Sequence, residues 1–193
     1  MKYTEVIDFL FNSIPNYQNS GDKALRPGLK NIRVLCEYFK NPHKSFKSIH
    51  VGGTNGKGTT STTLANFCSS LNLNIGLYTS PHIFDFRERI QVNGKKISKK
   101  FILNFIKENL SFFKDKNISF FEMTTILAFE YFKERKVDLA IVEVGLGGKF
   151  DSTNIINPLI SLVTNVGLDH QKILGNTRSE EHTSELQSPC NLV

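Results

Sequence analysis

The sequence predicts an α/β fold, in which helices flank a largely parallel sheet. Short apolar runs alternate along the chain with longer segments whose apolar residues recur at helical spacing. Strands that are separated by helices need crossover connections, and such right-handed crossovers place the strands parallel to one another. The length of 193 residues suits one ordinary domain.

Two amphipathic helices are predicted to open the chain. In residues 4–13 and again in residues 29–39, apolar side chains recur at the spacing of one helical face. The stretch between them carries Pro15 and Pro27 together with glycines, which indicates a loop.

The predicted sheet begins with a strand over residues 48–51. This strand leads through a glycine-rich turn into a helix over residues 57–71, and a second strand follows over residues 75–79. Residues 90–97 then carry an Asn-Gly dipeptide between two short runs of alternating polar and apolar residues. This pattern predicts a β-hairpin.

The later elements continue the alternation of helices and strands. Ser98 is placed to cap a helix that extends towards Lys114, and another helix is predicted over residues 121–136. Apolar runs over residues 139–144 and 159–166 predict two further strands. The sheet should therefore be covered by helices on both faces.

Composition excludes several classes of protein. The net charge is +6, but the lysines are spread along the chain and do not form one basic segment, so nucleic-acid binding is not predicted. No apolar run approaches the roughly 18 residues of a membrane span. The cysteines Cys36, Cys68 and Cys190 have neither metal-site nor disulfide spacing. We therefore expect a cytoplasmic protein that binds neither nucleic acid nor membrane.

The strongest single feature is the sequence HVGGTNGKGTT at residues 50–60. It follows a predicted strand and opens a predicted helix, which is the context of a phosphate-binding loop (P-loop). Glycines let backbone N–H groups turn towards one anion, and the helix N-terminus favours negative charge. Lys57 would reach the outer phosphates, although Gly58 is inserted before Thr59, where the common motif has a hydroxyl residue. The alternative is a glycine-rich turn with a chance lysine.

Glu143 lies at the end of the strand predicted over residues 139–144 and precedes another glycine-rich segment. Ligands of open parallel sheets bind beyond the carboxyl ends of the strands, where an acid can hold Mg²⁺. A solvent-exposed glutamate explains the strand end equally well, but the phosphate loop favours the metal role. Ser80 and His170 also follow predicted strands, and each suits either a metal ligand or an ordinary loop residue.

Several motifs together resemble the N-terminal part of the folylpolyglutamate synthase and dihydrofolate synthase family, within the Mur-ligase-like superfamily. They occur in the family's order: GTNGKGT at residues 53–59, TSPH at 79–82, FRERI at 86–90, EVGLGGKFDSTN at 143–154 and TNVGLDH at 164–170. The phosphate loop alone would also admit the cell-wall Mur ligases.

The resemblance assigns roles to individual residues. The implied ATP-binding positions are Gly53, Thr54, Asn55, Gly56, Lys57, Gly58 and Thr59. The implied Mg²⁺ positions are Thr59, Ser80, Glu143 and His170. The implied pterin- or folate-contacting positions are Phe121, Glu122 and Asp151. Lys57, Glu143 and His170 are the implied catalytic residues.

The resemblance also implies a reaction. ATP would phosphorylate a carboxylate of dihydropteroate or folate, and the amine of L-glutamate would displace phosphate from the acyl phosphate to form an amide. The cofactors would be ATP and Mg²⁺, the partners small molecules only, and the protein a monomer.

The resemblance covers residues 8–177 and stops there. The family continues with a C-terminal domain, whereas residues 178–193 read RSEEHTSELQSPCNLV and match no ligase segment. We expect residues 1–177 to be a partial, truncated ATP-binding domain and residues 178–193 to be a foreign or disordered tail. The alternatives are a non-catalytic fragment that at most binds ATP, or another P-loop NTPase.

Overall fold

The computed structural model of the chain describes residues 2–12, 28–116 and 118–167. The α-helices of this part are α1 (Tyr3–Asn12), α2 (Lys30–Tyr38), α3 (Lys57–Cys68), α4 (Lys99–Lys116) and α5 (Phe120–Glu134). The strands are β1 (Lys47–Gly52), β2 (Ile75–Tyr78), β3 (Ile90–Val92), β4 (Lys95–Lys96), β5 (Leu139–Glu143) and β6 (Ile160–Val163).

The described strands form one sheet of six strands in the order β4-β3-β2-β5-β1-β6. The neighbours β2, β5, β1 and β6 pair in parallel, whereas β3 and β4 add an antiparallel hairpin at one side. The prediction of an α/β fold with a largely parallel sheet is confirmed. In this register Val51 of β1 pairs with Glu143 of β5, so the carboxyl ends of the two central strands lie side by side.

Alternating residues of the strands divide the core into two layers. Ile141 of β5 packs with Val51 and with Ala65 of α3 on one face of the sheet. Ala140 and Val142 point to the other face, where they join the larger core formed by α1, α2, α4 and α5. The strands are therefore covered on both sides, as their apolar composition predicts.

Two elements end earlier in the structure than the sequence predicts. The helix predicted over residues 57–71 finishes at Cys68 and continues as a 3-10 turn over Ser69–Leu71. The strand predicted over residues 159–166 ends at Val163, and the side chains of Thr164 and Asn165 form hydrogen bonds with Asn55 in the loop after β1. The hairpin turns at Asn93 and Gly94.

In the described part of the chain, each helix is too short or too polar to cross a membrane.

Candidate active site

The glycine-rich loop lies between β1 and α3, at the carboxyl end of the sheet. β1 ends at Gly52, and α3 begins at Lys57 after Gly56, which adopts a left-handed conformation with φ of 81°. No side chain of the described residues caps this helix. The first-turn N–H groups of α3 and its dipole therefore offer a site for an anion.

The loop is held from outside by the segment that follows β6. The N–H of Thr54 donates to the carbonyl of Asn165 at 3.0 Å, and the N–H of Asn55 donates to the Asn165 side chain at 2.9 Å. Thr164 donates its hydroxyl to the carbonyl of Asn55 at 2.6 Å. We call residues 164–167 the clamp segment.

The clamp segment leaves no room for a side chain at Gly53. This residue has a φ of 120°, and a Cβ there would lie 2.3 Å from the hydroxyl oxygen of Thr164. Only glycine combines that backbone conformation with so close a neighbour. The sequence drew attention to this segment through His170, which lies outside the described residues, but gave no indication that Thr164 and Asn165 brace the phosphate loop.

The Lys57 side chain folds back onto the loop. Its ammonium donates to the carbonyl oxygens of Gly53 and Thr54, the latter at 3.2 Å. The positive charge therefore lies at the loop that the sequence predicts to hold phosphates. Thr59, predicted to ligand the metal, is exposed in the first turn of α3.

Glu143 lies at the end of β5, with only 3% of its surface exposed, and faces the start of α3. The N–H of Ser80 donates to its carboxylate at 2.9 Å, and a Cβ on Gly58 would lie 3.7 Å from both carboxylate oxygens. Burial raises the pKa of Glu143 to about 7, although the Ser80 N–H and the charges of Lys57 and Arg89 act to lower it.

The oxygen atoms around Glu143 suit a magnesium ion. The described residues bring one carboxylate, on Glu143, next to Ser80 and to the α3 turn that carries Thr59. Mg²⁺ prefers oxygen ligands and is usually bound by one or two carboxylates plus substrate phosphates. The described residues include no cluster of three His, Cys, Asp or Glu side chains that could hold a metal. The remaining ligands would thus be hydroxyls, phosphates and water, or would come from outside the described part.

Two of the three predicted substrate contacts lie together beyond β5. A Cβ on Gly145 would lie 2.4 Å from the Phe121 ring and 3.0 Å from the Asp151 carboxylate, so both side chains press on this glycine. Phe121 is partly exposed and Asp151 is buried.

Glu122, the third predicted contact, has a structural partner of its own. Its carboxylate accepts the N–H of Ser119 at 2.8 Å, and the Ser119 hydroxyl accepts the N–H of Glu122. This capping box begins α5, and it leaves Glu122 only 3% exposed. Whether Glu122 also contacts a substrate stays a prediction.

No family model matches the chain. Among curated proteins, it is 39% identical over 184 residues to the folylpolyglutamate synthase of Lacticaseibacillus casei, an alignment that covers 92% of this chain and 41% of the relative. It is 40% identical over 164 residues to the dihydrofolate synthase/folylpolyglutamate synthase of Bacillus subtilis, covering 81% of this chain and 38% of the relative.

Solved structures agree. The apo form of the L. casei synthase superposes with a TM-score of 0.88 at 36% identity, covering all of this chain and 49% of that one. The chain belongs to the folylpolyglutamate synthase/dihydrofolate synthase family. It spans about two fifths of the length of these curated relatives and about half of the solved L. casei chain.

A buried arginine in this synthase-family site has no counterpart among the predicted residues. Arg89 is 4% exposed, its guanidinium lies 5.2 Å from the centre of the Phe120 ring, and its Nε donates to Nδ1 of His82 at 2.8 Å. Its charge acts to lower the pKa of Glu143, so it supports the ionised acid. The sequence could have indicated it only as the second arginine of the FRERI motif, because nothing local marks an arginine as buried.

Proposed function

We propose that the protein acts as an ATP-dependent carbon–nitrogen ligase, which joins L-glutamate to dihydropteroate or to folate through an acyl phosphate. The observation that carries this proposal is that three features meet at the carboxyl end of the sheet. They are the phosphate loop held by the clamp segment, the Lys57 ammonium and the buried Glu143 carboxylate. A P-loop with a nearby acid is the usual equipment for phosphoryl transfer.

The nucleotide would bind at the glycine loop. Lys57 and the first-turn N–H groups of α3 would hold the ATP phosphates, with residues 53–59 around them. Structural neighbours support this assignment: one is an AMPPCP complex of a folylpolyglutamate synthase at a TM-score of 0.87, and another is E. coli FolC with ADP at 0.82.

The metal would be held by Glu143 together with the hydroxyls of Ser80 and Thr59, and by His170, which lies outside the described residues. Bound there, Mg²⁺ would neutralise charge on the phosphates. The chain's own part is to present a buried carboxylate, steadied by the Ser80 N–H and by the charge of Arg89.

The proposed reaction has two steps. The γ-phosphoryl group leaves ATP for an oxygen of the substrate carboxylate, so that a P–O bond breaks, ADP is released and an acyl phosphate forms. The amine of glutamate then attacks the acyl carbon, the C–N bond forms, and phosphate and a proton leave. Lys57 offsets negative charge in the first step, and the chain supplies no covalent nucleophile.

The folate or pterin substrate would lie beside the residues around Gly145, in contact with Phe121, Glu122 and Asp151. Support comes from neighbours whose structures contain such ligands, namely an FPGS–AMPPCP–folate complex at a TM-score of 0.87 and E. coli FolC with DHPP and ADP at 0.83. The proposed partners are therefore small molecules. The monomeric state, the cytoplasmic location and the foreign nature of residues 178–193 stay predictions.

Isothermal titration of the 193-residue chain tests this function. We expect the wild-type chain to bind AMPPCP with Mg²⁺ and then dihydropteroate or folate. Lys57→Ala should abolish nucleotide binding, whereas Lys95→Ala, which removes an exposed lysine of β4, should bind as the wild type does. Nucleotide binding without either pterin compound would contradict the folate assignment. An assay of glutamate-dependent phosphate release then tests whether this chain turns over.

A further inference from the structure

A line of buried hydrogen bonds joins β1 to the segment after β5. His50 of β1 is 2% exposed, and its Nε2 lies 2.7 Å from the hydroxyl oxygen of Thr153. The Thr153 hydroxyl donates to one oxygen of Asp151. The other oxygen of Asp151 accepts the N–H groups of Gly145 and Leu146, each at 3.0 Å. We call residues 145–151 the glycine loop of β5.

The direction of this line follows from the hydroxyl. A threonine hydroxyl has one proton, and the Thr153 proton is directed at Asp151. Thr153 must therefore accept from His50, which requires the neutral histidine tautomer with its proton on Nε2. Burial lowers the pKa of His50 to about 4, which agrees with a neutral ring.

The carboxylate of Asp151 binds several donors of the chain itself. It accepts four hydrogen bonds, from the N–H groups of Gly145, Leu146 and Thr153 and from the Thr153 hydroxyl. A carboxylate offers about four lone-pair sites. Asp151 is also only 6% exposed. Its described contacts therefore organise the backbone of the glycine loop of β5.

That backbone needs an external support. The segment contains Gly145, Gly147 and Gly148, and Gly147 has a φ of 60°. Glycines leave a loop many conformations. Phe121, the proposed substrate contact, lies directly against Gly145, so a shift of this loop would move the surface that the substrate meets.

We propose that His50 and Thr153 are positioning residues, which hold the glycine loop of β5 in the shape that receives the pterin or folate substrate. They act through Asp151 and do not touch the substrate. This proposal rests on the proposed function for its ligand, but not for the hydrogen-bond line itself.

Two substitutions at Thr153 separate the hydroxyl from its volume. Thr153→Val keeps the shape and removes the hydroxyl, whereas Thr153→Ser keeps the hydroxyl. In titrations of the chain with AMPPCP present, we expect Thr153→Val to weaken folate or dihydropteroate binding about tenfold, because the Asp151 oxygen loses one of its two donors and the His50 N–H loses its acceptor. Thr153→Ser should stay within about twofold of the wild type, and AMPPCP affinity should be unchanged in both.

Thr125→Val is the matched control. It also removes a buried threonine hydroxyl. This hydroxyl lies on α5, bonds to Tyr78 at 3.2 Å and makes no described bond to the glycine loop of β5. It should leave folate affinity within about twofold. Equal losses in Thr125→Val and Thr153→Val would assign the effect to general loosening of the core and overturn the proposal.

Two NMR measurements need no substrate. Exchange of the Gly145 and Leu146 amide protons should be about tenfold faster in Thr153→Val than in Thr153→Ser. If the wild type binds no folate, the proposed function fails, and this exchange still decides whether Thr153 holds the loop. In the wild-type chain, the nitrogen signals of the His50 ring should identify the Nε2–H tautomer. An Nδ1–H tautomer, or equal amide exchange in the two variants, would overturn the proposal.

Discussion

His50 and Asp151 are two buried ionisable residues whose titrations oppose each other. Burial lowers the pKa of His50 to about 4, below the roughly 6.5 of an unfolded histidine. Burial raises the pKa of Asp151 to about 6, above its ordinary value of 3.8, despite the hydrogen bonds it accepts. Between about pH 6 and pH 4 the unfolded chain takes up a proton at His50 and the folded chain takes up one at Asp151.

The opposite pKa shifts of His50 and Asp151 predict that removing either side chain changes how stability responds to acid. As the pH falls from about 6.5 to about 4, His50 lowers the free energy of unfolding by about 3 kcal/mol, because only the unfolded state binds its proton. Over a similar range Asp151 raises the free energy of unfolding by about as much, because only the folded state binds its proton. In His50→Gln, whose amide can still donate to Thr153, acid should therefore stabilise the protein relative to the wild type.

Urea unfolding at about pH 7 and about pH 4.5 measures this difference. Asp151→Asn is the matched control, and it should shift in the opposite direction, losing stability in acid relative to the wild type. Parallel pH profiles of the three proteins would contradict the assigned pKa values.

Among single residues, those with a motif could be predicted and those with only a long-range partner could not. Lys57 follows a glycine-rich loop and Glu143 precedes one, and the structure places both at the carboxyl end of the sheet. Arg89 and Asn165 lie in the FRERI and TNVGLDH motifs, but the motifs predict no role for them, because burial and a hydrogen bond across the chain leave no mark on neighbouring residues. The capping box is different, because a serine followed three residues later by a glutamate, as in Ser119 and Glu122, indicates it from sequence.

At the level of elements, the loop after β1 depends on the clamp segment. Gly53→Ala should place a methyl group 2.3 Å from the Thr164 hydroxyl and 2.9 Å from the Asn165 carbonyl, so the clamp must move away. We expect at least tenfold weaker AMPPCP binding together with a loss of about 2 kcal/mol or more in unfolding free energy. Titration and urea unfolding measure the two effects.

Gly94→Ala provides the comparison for Gly53→Ala. Gly94 also has a positive φ, of 70°, but nothing lies within 4 Å of the added Cβ. It should therefore lose only about 1 kcal/mol of stability and keep its nucleotide affinity. Similar affinities in the two variants would show that the clamp does not shape the phosphate loop.

The start of α5 separates a structural role for Glu122 from a substrate role. Glu122→Gln keeps an acceptor for the Ser119 N–H, so we expect a change in unfolding free energy below about 0.5 kcal/mol. Ser119→Ala removes the other half of the capping box and should lose about 1 kcal/mol. A stable Glu122→Gln protein with weakened folate binding would favour substrate contact, and unchanged binding would leave only the cap. Thermal unfolding and folate titration give both readings.

The order of the elements was predictable because helical and strand periods differ clearly in this sequence. Their ends were less so. β6 stops at Val163, three residues before the predicted end. Beyond it, the Thr164 N–H still donates to Gly52 at the end of β1, but the Asn165 carbonyl accepts the N–H of Thr54 in the loop after β1. Periodicity describes what a residue buries and says nothing about which distant backbone it bonds.

For the whole molecule, nucleotide binding should be visible as added stability. A ligand that binds only the folded state raises the unfolding free energy by about 2.7 kcal/mol at 100 times its Kd. For a chain of this size we expect AMPPCP with Mg²⁺ to raise Tm by roughly 5–10 °C. Thermal unfolding measures the shift, adenosine without phosphates should produce little of it, and an equal shift in Lys57→Ala would contradict binding at the loop.

The sheet explains why this stabilisation should be global. Glu143, the phosphate loop and the clamp segment continue directly from β5, β1 and β6, three neighbouring strands in the middle and at one side of the sheet. A ligand that contacts all three ends ties together strands from both halves of the described chain.

The distance in sequence between the loop and its clamp also has a consequence for folding. Asn55 and Asn165 are separated by 110 positions, so their mutual hydrogen bonds close a very long chain segment. Closing it loses chain entropy that local helices do not lose, and contacts of this kind slow folding. On a ribosome the phosphate loop after β1 would emerge well before the clamp segment. As the chain grows, nucleotide binding should therefore appear only after the helices and the β3–β4 hairpin have formed.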